Sequence, residues 1–324
     1  MHRDLRPLTL GEILDHTAQL YRSHFLLFAG ISAIYSGLLL AMSLLEIGLE
    51  TVLRSMHLAQ AVLWTAWTST GLSLLLAFIA AGTAIAANNR AVGWLSLGMP
   101  ATIRSAYASI LPRLGRYLWL MAITAVLVWL PLALLYGGYL AFIFANVRPG
   151  GIIGQPGVAP QATMGLVIAS GIFGLLLIPA GVYTILMALR YALAVPACVM
   201  EDLKARQAIR RSVSLSKGTR GRLFVLGLLA ITIQLGLLLL TQSFFVITEM
   251  RHHGEASPGL RVMQQIVAFF TNTFVGPIYA TGLTLFYFDQ RVRKEGYDIE
   301  RMMEAAGFIP GPAEPLQTTR ETEA

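Results

Sequence analysis

"RLFVLGLLAITIQLGLLLLTQSFFVIT", residues 222–248, contains one charged residue, Arg222, and that residue comes first. Roughly 20 residues at a rise of about 1.5 Å cross the hydrocarbon core of a bilayer, so such a run reads as a transmembrane helix. Five more runs share the property, at about 25–47, 61–87, 117–144, 163–189 and 263–288. The whole chain agrees, with 56% of its 324 residues hydrophobic and only 13% charged, about half the charged share of a soluble domain. The expected fold is all-α: a polytopic membrane protein with six spans in a single domain over 1–308 and a disordered polar tail at 309–324. Residues 1–24 already carry Arg3, Asp4, Arg6, Glu12, Asp15 and Arg22. The first span is therefore expected to act as an uncleaved anchor rather than a signal peptide.

Six spans return both termini to one side, and lysine and arginine decide which side that is. The connections on the terminus side hold 20 of the 24 basic residues, against Arg54, Arg148, Arg251 and Arg261 on the other. Both termini are therefore expected in the cytoplasm. The net charge of +7 sits in short links between spans, where anionic lipid head groups are the nearest partner, and nucleic acid is not an expected one. Cys198 is the single cysteine, which rules out an intrachain disulfide and any multi-cysteine metal site.

The segments before spans one, three and five share a design. "TLGEILDHTAQLYRSHF" (9–25) opens with Thr9 and Glu12 at capping-box spacing, then places Leu10, Ile13, Leu14, Thr17 and Tyr21 on one helical face. "PATIRSAYASILPRLGRYLW" (100–119) and "EDLKARQAIRRSVSLSKGTRGRLF" (201–224) repeat the pattern, with Pro100 suited to a first turn and Asp202 to a cap. Interfacial helices are expected at about 9–24, 100–114 and 202–217. The last two copies align at an offset of 106 residues, with Ile103-Arg104 on Ile209-Arg210 and Gly115-Arg116 on Gly221-Arg222. The architecture then reads as three parallel units, each an amphipathic helix followed by a two-span hairpin. Small residues at four-residue spacing support close helix packing, Ala29, Ala33, Gly37 and Ala41 in span one and Thr65, Ser69, Ser73, Ala77 and Ala81 in span two.

Chemistry is harder to find. The middles of the spans lack Asp, Glu, Lys, Arg and His; Glu46, Arg190, Glu249 and Asp289 fall near ends. Each ionised group at mid-membrane costs roughly 2.5–3.5 kcal/mol, so transporters and intramembrane enzymes carry such groups for a reason. No nucleophile-elbow, phosphate-loop or H-E-x-x-H pattern occurs in the sequence. No catalytic, metal-binding or cofactor-binding residue is expected, and the protein reads as a non-enzymatic module. Pro131, Pro179 and Pro277 fall inside spans three, four and six and are expected to kink them. A transporter or lipid-translocating permease built on those kinked spans is the alternative.

Eight basic residues crowd the 190–222 connection. Among them Arg206, Arg210, Arg211, Lys217, Arg220 and Arg222 are the candidate contacts to anionic lipid or to a membrane or cytoplasmic protein partner. The end of span six, "LFYFDQRVRKEGYDIE" (285–300), passes from apolar to charged within a few positions. Tyr287 suits an aromatic belt, Arg291 and Arg293 supply inside charge, Gly296 ends the helix and Asp298 can cap a short one. Glu295 completes the motif, and Asp289 is an acid where bases are favoured, so it is expected to form a salt bridge to a basic residue on a neighbouring interfacial helix.

These last residues, with "LTLGEILDHTAQLYRSHFLLFAGI" (8–31) and "YALAVPACVMEDLKARQAIRRSVSLSKGTRGRLF" (191–224), resemble the glycerophosphoryl diester phosphodiesterase membrane-domain family of bacterial multi-span proteins. The resemblance runs from about residue 6 to 304, and aromatic-Asp-x-Arg-x-Arg-x-Glu-Gly-aromatic-Asp is its most specific part. It implies a six-helix module of the bacterial inner (plasma) membrane with some link to lipid or envelope biology. The family takes its name from a soluble phosphodiesterase domain found beside it in some members. That domain has no counterpart here, so phosphodiesterase activity is not expected and no catalytic residue carries over.

Overall fold

The computed structural model describes residues 7–146, 160–251, 257–297, 299 and 303. Among these the regular structure is entirely helical: α1 (Leu10–Ser23), α2 (Phe25–Ser55), α3 (Ala59–Ser96), α4 (Ile103–Ile110), a 3-10 turn (Leu111–Arg113), α5 (Leu114–Asn146), α6 (Pro160–Tyr191), α7 (Ala194–Met200), α8 (Ala205–Ser216), α9 (Arg220–Arg251) and α10 (Pro258–Glu295). Six of the helices are long and apolar enough to cross a membrane. Asp298, the Gly/Pro-rich stretch 147–159 and the tail 309–324 lie outside the described residues.

The start of α1 follows from its sequence. Thr9 Oγ1 accepts from the Glu12 amide at 3.3 Å, and the Glu12 carboxylate accepts from the Thr9 amide at 2.7 Å, a reciprocal cap that contributes about 1 kcal/mol. The apolar face then buries Ile13, Thr17 and Leu20. Its cover is the bundle, for Ile13 joins Leu283, Phe286 and Tyr287 of α10 in one apolar cluster.

Two of the expected helix starts shift. Ile103, not Pro100, begins α4, with Thr102 as its cap. Lys204 precedes the first turn of α8, while Asp202 takes a left-handed backbone with φ of 55°. A short polar side chain tolerates that region better than most, and Asp202 is engaged elsewhere.

Both apolar clusters lie at the terminus-side end. One gathers Phe28, Ile31, the alanines of α3 from Ala84 to Ala91, Tyr117 and Cys198; the other gathers Ile13, Leu215, Leu223 and Phe286. Glycine allows close approach there: a Cβ on Gly30 of α2 would press on Ile103 of α4, and one on Gly93 of α3 would displace the end of the Met200 side chain of α7. Toward the far end large apolar side chains such as Trp64, Trp67, Leu134 and Phe144 point outward, as suits helices surrounded by hydrocarbon.

The hairpins are not equivalent. Spans one and two (α2, α3) and spans three and four (α5, α6) pack closely as pairs, but α10 packs most extensively on α2 and far less on α9. The first and last spans therefore form the main seam. The second and third units nevertheless share boundaries: α4 and α8 end, and α5 and α9 begin, at a constant offset of 106 residues. Burial follows the same offset, with Ala106 and Ser212, Ile110 and Ser216, Tyr117 and Leu223, and Leu120 and Leu226 all buried.

Candidate functional site

The terminus-side end carries three ionic clasps and one open basic crevice. The first clasp closes on Asp289, whose side chain is wholly buried. It accepts from the Leu8 amide at 2.8 Å, from Arg293 Nε at 3.0 Å to both oxygens, from Arg222 Nη1 at 3.2 Å and from Gln290 Nε2 at 3.0 Å. Arg222 Nη2 and an Arg293 Nη also donate to the Leu8 carbonyl. The segment before α1, the first turn of α9 and the end of α10 are thereby fastened at one point. Asp289 was expected to pair with a base on an interfacial helix; its partners instead stand at the start of span five and on its own helix.

The second clasp closes on Glu201, just after α7. Arg211 of α8 donates from Nε at 2.8 and 2.9 Å, and the Tyr287 hydroxyl of α10 donates to the same carboxylate. Arg211 continues to Glu295, at 2.6 Å from Nη2, and Glu295 also takes Arg291 Nε at 3.2 Å. Partial burial works against the charge of Arg211, and the bonds to Glu295 and Glu201 outweigh it, so its pKa rises above the ordinary arginine value. Arg291 lies 4.0 Å from the ring centre of Tyr297, and Gly296, with φ of 66°, is the left-handed residue that ends α10. Lys294 donates from Nζ to the carbonyls of Ser214, Leu215 and Lys217 at 3.0, 2.9 and 2.7 Å. It satisfies the free C-terminal carbonyls of α8 and complements that helix's dipole.

The third clasp joins Asp202 to Arg113 and to Arg116, whose Nη1 is 2.8 Å from Oδ1 and 2.7 Å from the Asp202 carbonyl. Arg116 and Arg222 are the two residues related by the 106-residue offset. Each clamps a carboxylate and a backbone carbonyl together.

The crevice is different in kind. Arg190, Val213, Lys217, Gly218, Arg220 and Gly221 surround an open cavity of about 620 Å³ between the ends of α6, α8 and α9. Two buried serines of α8 fix its wall: Ser212 and Ser216 donate to the Arg190 carbonyl at 2.9 and 3.3 Å. The turn from α8 to α9 passes through Gly218 at φ of 83°, a conformation that favours glycine. Within this frame the Nε atoms of Arg190 and Arg220 are buried and have no hydrogen-bond partner among the described residues. Arg90 Nε, away from the crevice, shares this state; buried polar atoms are as a rule satisfied by the protein or by water.

The six basic residues singled out from the sequence thus divide. Arg211 and Arg222 are held in the clasps. Arg206 and Arg210 are exposed on α8, and Lys217, just past its end, lines the crevice with Arg220. Arg190 and Glu201 were not foreseen. An acid inside the most basic connection was the available signal for Glu201. Arg190 could be grouped with Arg220 only once α8 was known to dock on α6. The prolines do not come together: Pro131 and Pro179 lie in the α5–α6 hairpin, Pro277 in α10 on the α2–α3 side, and α10 has no substantial interface with α5 or α6. At Pro131 the missing amide frees the Leu127 carbonyl, and the Tyr183 hydroxyl donates to it at 3.2 Å.

Compared with family models, with curated proteins and with solved structures, the chain matches none.

Proposed function

We propose that the protein is a non-enzymatic module of the bacterial inner membrane whose basic face binds anionic lipid head groups. The observation that carries this is the crevice. Two guanidinium groups with unpaired buried nitrogens and one exposed ammonium converge at a membrane-proximal opening. Arg206 and Arg210 extend the positive surface along α8. Phosphate oxygens match the fork of an arginine, and a head group would satisfy donors that the chain leaves open. The positive-inside distribution supports a cytoplasmic setting for this face, on the leaflet that carries the anionic surface charge. The resemblance to the glycerophosphoryl diester phosphodiesterase membrane-domain family supports the same setting, without its enzymatic activity.

Native mass spectrometry of the protein released in mild detergent tests the reading. A retained anionic phospholipid is expected, at reduced occupancy after charge reversal at Arg206, Arg210 and Lys217 and lost in the Arg190→Gln/Arg220→Gln variant. A retained protein in place of lipid would identify the face as a partner-docking surface. Occupancy unchanged by either set of substitutions sinks the assignment. The competing reading, a transporter built on the proline-bearing spans three, four and six, gains no support from their packing, since among the described residues α10 has no substantial interface with α5 or α6.

A further inference from the structure

Away from the basic end, α2, α3 and α10 enclose a cleft of about 310 Å³. Its lining residues belong to the far halves of these helices: Ser43 and Glu46 of α2, Thr70 and Ser73 of α3, Gln265 and Asn272 of α10. Ser36, which also lines it, is buried and its hydroxyl lies 2.6 Å from that of the buried Thr273. This cleft, or vestibule, lies in the halves of the three helices away from the termini.

Its polar groups are largely unspent. Among the described residues Glu46 has one hydrogen-bond partner, the Ser73 hydroxyl, and no basic partner. The nearby acid Glu50 differs, being paired with Arg54 at 2.6 Å and Arg261 at 2.8 Å. Ser43, Gln265 and Asn272 make no side-chain hydrogen bond among the described residues. An ionisable side chain held within membrane-spanning helices without a counter-ion carries a solvation cost that a bound cation would offset. Size selects the kind of cation: water occupies about 30 Å³ per molecule, so a 310 Å³ space is far too large for a bare metal ion and suits a small organic solute.

We propose that this vestibule is a binding site for a small organic cation, an ammonium-bearing solute whose charge meets Glu46 while Ser43, Gln265 and Asn272 hydrogen-bond its polar body. The site is independent of the basic crevice and stands whether or not that crevice binds lipid.

The chain suits a thiol-accessibility test, because Cys198 is its only cysteine and is buried. Ser43→Cys and, separately, Thr70→Cys are placed in lipid nanodiscs. Each is treated with a trimethylammonium-bearing and a sulfonate-bearing methanethiosulfonate of similar size. Relative to their rates with a free thiol, the cationic reagent is expected to react about tenfold faster than the anionic one, as a focused negative potential produces. Adding Glu46→Gln should bring the ratio close to one, and millimolar choline should slow labelling while sodium chloride at equal ionic strength does not. Absence of labelling at both positions overturns the vestibule. Labelling without charge preference overturns the role of Glu46, and protection by sodium as strong as by choline overturns the organic-cation assignment.

Discussion

Asp289 illustrates what a single residue contributes. Its carboxylate is buried among two arginines, an amide side chain and a backbone N–H contributed by residues up to 281 positions away in sequence. Assembling a buried ion pair contributes little net stability, yet removing one partner strands the others at a cost of about 3–5 kcal/mol. Asp289→Asn leaves Arg222 and Arg293 facing each other without a counter-charge. Its thermal midpoint in detergent is expected to fall well below that of the native protein. A midpoint within a degree or two would show that the clasp is ornamental to stability. The sequence made Asp289 legible as an anomaly, since an acid at the basic end of a span requires an explanation. It did not make Leu8 legible, because that contact uses only the main chain, which any residue supplies.

At the scale of elements, α8 depends on a neighbour for its C-terminal end. No basic side chain lies in its own last turn, and Lys294 of α10 reaches across to three carbonyls there. Lys294→Met should loosen α8 by about 1 kcal/mol, the usual worth of such a contact. Hydrogen exchange over 205–216 is then expected to quicken while α2 is unchanged; equal exchange in both proteins would argue against the cap. The existence of every helix but the short α7 was readable, because runs of apolar residues and the Thr9–Glu12 capping box are local signals. Helix starts were less so. Asp202 looked like a cap by residue type, but its carboxylate is taken by Arg113 and Arg116 from another unit, a competition that no local pattern encodes. The candidate crevice was half legible for the same reason: Lys217 and Arg220 stand in a basic run, whereas Arg190 reaches it only through the docking of Ser212 and Ser216.

For the whole molecule, six spans and a helical fold could be read from hydropathy alone, whereas the pairing of spans could not. Lipid-facing and helix-facing positions are both apolar, so composition does not say which helix a span meets. The structure pairs α2 with α10, and Ser36 lies 2.6 Å from Thr273 across that seam. The double variant Ser36→Cys/Thr273→Cys is expected to form an intramolecular disulfide under mild oxidation in membranes, read as a mobility shift that reductant reverses. Absence of the shift would place the two spans apart. The same seam bears on biogenesis. The ribosome delivers α2 and α3 first and α10 last, so Ser36, Asn88 and Asn89, all buried in the finished protein, have no final neighbours during most of synthesis. Thr284, which bonds Asn89 at 3.0 Å, and Asp289, which latches the start of the chain, emerge together near its end. Until then the nascent bundle is unlatched, and Ser36 and Asn89 of its earliest spans wait for the partners that α10 brings.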